Sequence, residues 1–171
     1  MSINISEILS IPSAFKEYPV CPDRDRLKLR RASYRVSYQE PYTLSVRKEG
    51  SMLSVTGQTE VHLLMPCDRC LTDVDVPFSV QINRELDLSR EQDEEVDEDE
   101  LSFIDGCMLD ADKLVTDEIV VALPTKILCR EDCRGLCPQC GKNLNEGTCE
   151  CTHESLDPRM AAIAEIFRNG Q

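Results

Sequence analysis

The chain of 171 residues has no tryptophan, 5% aromatic residues and two histidines, His62 and His153. The histidines form no paired motif of the kind that holds a catalytic metal. Its seven glycines form no phosphate-binding loop, and no nucleophile elbow is present. No catalytic constellation can be assembled, and an enzyme is not expected. Long apolar runs are also missing. The longest, Ile119 to Leu123, is far too short to span a bilayer. The first twenty residues lack a basic stretch followed by an apolar one, so a secretory signal is not expected. A reducing cytoplasm is the expectation, and there clustered cysteines bind metal more often than they form disulfides.

The net charge of −13 is uneven: residues 1–90 balance to zero, 91–128 carry −11 and 129–171 carry −2. The acidity centres on Glu91 to Glu100, which holds eight carboxylates in ten residues. Such a run repels itself and has too little apolar surface to order itself, so it reads as a linker or mobile loop. A docking strip for a basic partner is the alternative. It lacks the glycine and ligand order of an EF-hand loop.

Residues 1–90 read as mainly antiparallel β. Pro41 to Arg47, Met52 to Met65 and the stretch with Val74, Val76, Phe78, Val80 and Ile82 alternate apolar and polar residues. Arg30 to Ser37 is a weaker strand. The fold class is α+β: a small antiparallel sheet, curling towards a barrel, with few helices and a C-terminal zinc-binding loop region. Residues 91–108 form the acidic linker, and 109–171 hold a helix, the cysteine-rich segment and a C-terminal helix. The first helix spans Asp110 to Leu123, with Leu114, Val115, Ile119 and Ala122 on one face and Pro124 closing it. In the second, Asp157 caps, Pro158 takes the first position, and Met160, Ile163, Ala164 and Phe167 form the apolar stripe.

Six of the ten cysteines lie between Cys129 and Cys151: Cys129, Cys133, Cys137, Cys140, Cys149 and Cys151. The Cys-Pro-Gln-Cys-Gly turn at Cys137 points two thiolates at one centre, and its glycine permits the reversal. Zinc needs four ligands, and a second pair must return to the same place. The preferred set is Cys137, Cys140, Cys149 and Cys151, with sets using Cys129 or Cys133 left open. A closed site of four sulfurs has no position for water, so the role is structural. The spacing matches neither ferredoxin pattern, and Gly141 with Asn145-Glu146-Gly147 breaks the helix that follows a redox Cys-x-x-Cys. His153 is a substitute ligand of last resort. A second pair, Cys67 and Cys70, reads best as a hairpin turn with half-buried thiols, or else joins a site with Cys129 or Cys133. Cys21 and Cys107 are isolated. A separate basic stretch places Arg24, Arg26, Lys28, Arg30 and Arg31 among few acids, with Arg35 beyond. On a strand, alternating cations share one face, which makes them candidate RNA contacts or a solvated charged face.

Three segments carry a resemblance: PCDRCL at Pro66 to Leu71, DEIVVALP at Asp117 to Pro124, and CREDCRGLCPQCGKNLNEGTCEC from Cys129, followed by LDPR at Leu156 to Arg159. Together, from about Tyr42 to Phe167, they resemble the YceD-like proteins, called large ribosomal RNA subunit accumulation proteins. Some family members keep the first cysteine pair without the C-terminal cysteines, which makes zinc a stabilising variation there. The resemblance implies a non-catalytic role in large-subunit ribosomal RNA accumulation or processing and in ribosome assembly. The partners implied are a pre-ribosomal particle, its RNA or a basic ribosomal protein, with no membrane and no small-molecule substrate. Two readings remain beside it: an acidic escort of a basic ribosomal protein, and a thiol redox protein.

Overall fold

The computed structural model describes residues 1–29, 32–89 and 103–151. The acidic run Glu91 to Glu100, the helix expected from Asp157, His153, Arg30 and Arg31 lie outside them. The described chain divides into two units, one within residues 1–66 and 73–127, the other residues 67–72 with 128–151.

The first unit is built on β6 (Met52–Pro66) and β7 (Asp73–Asp87), antiparallel partners from Met52 opposite Asp87 to Pro66 opposite Asp73. Period two decides their faces. On β6 the residues Leu53, Val55, Val61, Leu63 and Met65 are buried, and on β7 so are Phe78, Val80 and Ile82. Each such side chain taken out of water contributes about 1.5–3 kcal/mol before the cost of ordering it. The other edge of β6 is shared. β5 (Tyr42–Glu49) pairs with Met52 to Thr56, and β4 (Ala32–Gln39) pairs with Val61 to Leu64. Gly57 lies where the two part, and a Cβ there would stand 2.8 Å from Leu44 Cδ2 and 3.1 Å from the Thr43 carbonyl oxygen.

β2 (Ser13–Val20) extends the sheet beyond β5, and β3 (Arg26–Leu29) extends it beyond β4. The expected barrel-like closure is not found. Both short strand pairs occupy one edge of β6, so the ladder branches rather than returning to its start. Helix α2 (Ala111–Ala122) supplies the cover instead. Its Leu114, Val115 and Ile119 share one core with the inward residues of β5, β6 and β7, and Arg84 of β7 meets Glu118 at 2.6 Å. Asp110 caps the helix by accepting from the N–H groups of Asp112 and Lys113 at 3.0 and 3.2 Å. Ala122, expected on the buried face, is exposed.

The remaining elements are short. β1 (Ser2–Asn4), β8 (Ile104–Asp105) and β9 (Met108–Asp110) form a three-stranded sheet, and α1 (Ser6–Leu9) inserts the buried Ile8 into the core. β8 and β9 pair as a short hairpin around the turn at Gly106 and Cys107. Among the described residues no helix is long and apolar enough to cross a membrane.

On the outer face, His62 Nδ1 lies 2.9 Å from Asp75 and Nε2 lies 2.9 Å from Glu60, with Tyr38 edge-on. The hydrogen bond to Asp75, then that to Glu60, raise the His62 pKa above its ordinary value. A raised value stabilises the folded state fully below the unfolded pKa of about 6.5, and the gain fades as pH rises through the folded value. Replacing His62 with Gln should therefore lower the urea midpoint at about pH 6 and have little effect at about pH 9. Equilibrium unfolding of both proteins across that range checks it, and an equal loss at both ends contradicts it.

Candidate metal centre

Among its described residues the second unit has almost no apolar interior. In the described stretch 128–151 the buried residues are Cys133, Gly135 and Cys137, while Leu128, Leu136 and Leu144 stay partly exposed. Burial is thus carried by sulfur, and the sulfurs converge in two groups.

The first group is Cys67, Cys70, Cys129 and Cys133. A tight turn sets the first pair: Leu71 N–H donates to the Cys67 carbonyl at 2.9 Å, and Cys67 N–H donates to the Thr72 carbonyl at 2.9 Å. Arg69, between the two cysteines, donates through Nη1 to the Cys133 carbonyl at 2.7 Å, and its own carbonyl accepts from Leu136 N–H at 3.0 Å. These bonds dock the turn on the loop carrying the second pair. Cys67 Sγ lies 3.8 Å from Cys133 Sγ, and Cys70 Sγ lies 3.5 Å from Cys129 Sγ. All four sulfurs fall within 4.8 Å of one another. A tetrahedral zinc with Zn–S bonds of about 2.3 Å separates its sulfurs by about 3.8 Å. The donor set fits the ion.

The second group is Cys137, Cys140, Cys149 and Cys151, again within 4.8 Å. Its leading turn is closed by Gly141 N–H to the Cys137 carbonyl at 2.9 Å and Cys137 N–H to the Lys142 carbonyl at 2.8 Å. Gly141 has φ +73°, the left-handed conformation that glycine adopts without strain.

The turns also tune the thiols. Burial pushes Cys67 up, but backbone N–H groups of Arg69, Cys129 and Cys70 outweigh it and bring the thiol down to about 6. At Cys137 the N–H groups of Cys140 and Gln139 dominate and again bring it to about 6. Cys129 is pushed up to about 12 by burial and by its thiol neighbours, and Cys151 to about 12 chiefly by its hydrogen bond to Cys140. Each group thus holds at least one thiol lowered towards the thiolate, Cys133 as well as Cys67 in the first, beside a thiol that a cation must deprotonate. Eight cysteines in two groups are positioned to hold metal ions, with no carboxylate in either.

The preferred set Cys137, Cys140, Cys149 and Cys151 lies together as one group, while Cys129 and Cys133 lie with Cys67 and Cys70, the arrangement left open beside the hairpin-turn reading of that pair. Cys67 and Cys70 are buried. Two Cys-x-x-Cys pairs plus four further thiols was the available signal for two sites. Cys21 and Cys107 are exposed and belong to neither group. Of the basic residues, Arg26 and Lys28 are exposed on β3, while Arg24 is largely covered and pairs with Asp112 at 2.8 Å. Arg35, outside the set named from the sequence, stands directly opposite Arg26 across β3 and β4.

The family described as large ribosomal RNA subunit accumulation protein YceD matches residues 55–167. The chain belongs to the YceD family. The matched span of this YceD chain contains both sulfur groups, whereas β3 and β4 lie before it. The uncharacterized protein Rv2926c of Mycobacterium tuberculosis is 32% identical over 125 residues, covering 72% of this chain and 60% of its own. The uncharacterized protein YlbN of Bacillus subtilis is 30% identical over 107 residues, 62% of this chain and 61% of its own. The chain thus spans about 60% of the length of these curated relatives. No solved structure matches it.

Gly135 gives a local test. Its φ is +77°, and a Cβ there would stand 2.9 Å from the Arg69 carbonyl oxygen. Gly135→Ala should cost about 1–3 kcal/mol in backbone strain and separate the two arms of the first group. Faster modification of Cys67 and Cys133 by a thiol reagent in the folded protein is the expected result. Unchanged rates would contradict the docking role.

Proposed function

We propose that this protein is a non-catalytic factor that promotes large-subunit ribosomal RNA accumulation or processing during ribosome assembly, built around two structural zinc sites. The match to the YceD family carries the first half of that reading. The two closed, all-sulfur groups support the second. Thiolate sets without carboxylates favour zinc over hard cations, and four protein ligands leave no open position for a substrate or an activated water.

Bound zinc would supply cross-links that a segment without an apolar interior cannot provide for itself. Cys67 and Cys70 would hold the first ion with Cys129 and Cys133, and the remaining four cysteines would hold the second. Two sets of four thiolates leave a formal −2 at each site. Arg69, which donates to the Cys133 carbonyl, and Arg130, Arg134 and Lys142 offset it in part. A cytoplasmic location accords with cysteines that form no disulfide.

RNA contact is assigned to the β3–β4 hairpin. From Arg26 to Arg35 the chain holds five cations and no acid. Arg26 and Arg35 are exposed and face each other across the ladder, where like charges repel. A phosphodiester backbone between them would turn that cost into attraction. Arg24 is left out of this surface, since Asp112 already neutralises it. A competing reading uses the eight carboxylates of Glu91 to Glu100 to escort a basic ribosomal protein.

Affinity purification before and after nuclease treatment separates the two. Changing Arg26, Lys28 and Arg35 to Glu should release ribosomal RNA and lower the salt dependence of binding by roughly two to three units of slope. Neutralising Glu91 to Glu100 should leave RNA recovery unchanged. Nuclease-resistant capture of one basic protein, lost on that neutralisation, would favour the escort.

A further inference from the structure

We propose that Asn145 couples the two sulfur groups, so that a metal held by Cys137, Cys140, Cys149 and Cys151 strengthens metal retention by Cys67, Cys70, Cys129 and Cys133. This rests on reading both groups as metal sites, and it assigns a role to a residue that is not a ligand.

The carboxamide of Asn145 uses all its hydrogen-bonding positions. Nδ2 donates to Cys133 Sγ at 3.3 Å and to Asn143 Oδ1 at 2.8 Å. Oδ1 accepts from Arg130 Nη2 and from the Arg134 N–H, each at 2.8 Å. The orientation is fixed by this set, because a flipped amide would set oxygen against sulfur and NH2 against two N–H donors. Arg130, Cys133 and Arg134 all belong to the loop of the first group. Asn145 itself belongs to the loop from Gly141 to Thr148, whose flanking residues Cys140 and Cys149 are both in the second group.

The geometry gives the coupling a route. Drawing Cys140 and Cys149 to one ion closes the loop between them and removes much of its conformational freedom. Within the loop, Asn145 N–H donates to Asn143 Oδ1 at 3.0 Å and Glu146 N–H donates to the Asn143 carbonyl at 3.1 Å, while Leu144 N–H ties the loop to the Gly135 carbonyl at 2.9 Å. The second group thereby presents Asn145 already ordered, and the first gains a donor on a ligand sulfur without meeting that ordering cost. Outer-shell partners of this kind alter metal affinity by about 10–100-fold. Coupling between binding sites is reciprocal, so each group should stabilise the other by the same factor.

The test uses the full chain loaded with cobalt(II), whose thiolate absorption reports each group, in competition with a chelator. Changing Cys137 and Cys140 to Ser should weaken the first group about 10–100-fold, and Asn145→Ala alone should do nearly as much. Combining all three changes should add little, because both act chiefly through the Asn145 contact with Cys133. Asn145→Asp keeps the acceptor for Arg130 and Arg134 but loses the donor to Cys133. It should weaken the first group while the second, measured with Cys67 and Cys70 changed to Ser, keeps its affinity. Should Asn145→Ala abolish binding at both groups, the Asp variant decides. First-group affinity within about twofold of wild type in that variant overturns the coupling but leaves both metal sites standing, as does equal loss at both groups. A chain that binds no cobalt at either group overturns both readings.

Discussion

Sulfur convergence is the constraint on which the second unit depends. A short segment normally folds by burying apolar side chains, and one with few of them needs a metal or disulfides as a substitute. In residues 128–151 cysteine sulfur occupies the interior that leucine and valine fill elsewhere. None of the thiols forms a disulfide, and their spacing suits a shared cation better than any covalent pairing, since a disulfide needs sulfurs about 2.05 Å apart. Arg69 and Asn145 then follow as consequences. Both are polar side chains that fix the cysteine loops through carbonyls and a thiol, because there is little else to pack against.

The first unit obeys a different rule. Its β6–β7 ladder is long and regular, and alternation alone sends one face inward. Sharing one edge of β6 between β4 and β5 leaves the sheet branched, and α2 covers the apolar face that a closed barrel would have enclosed. The outer face is free to carry charge, which is where Arg26 and Arg35 meet and where His62 sits between two carboxylates.

Period and punctuation made much of this legible. β7 announced itself by clean alternation, β5 and β6 by a rougher one, and α2 by its acidic first turn and closing proline. β2 did not. It is an edge strand with only Val20 buried, so its pattern is weak, and Pro19 further obscures it although an edge tolerates proline. The cysteine motif pointed to Cys137, Cys140, Cys149 and Cys151 as one set but left the place of Cys129 and Cys133 open. Nothing in the local spacing of Cys67 and Cys70 says that Cys129 and Cys133 return to them; that requires the turn held by Arg69 and Gly135. The pairing of Arg24 with Asp112 was hidden for a related reason, since the two are distant in sequence.

Everything about the second unit rests on the claim that eight thiols hold two cations. Zinc X-ray absorption combined with elemental analysis of freshly purified full-length protein tests it most directly. The account predicts two zinc ions per chain, each surrounded by four sulfurs at about 2.3 Å with no light-atom ligand, and collapse of residues 128–151 to protease-sensitive chain on chelation. A metal-free protein whose segment resists protease as well before chelator as after it would contradict the account.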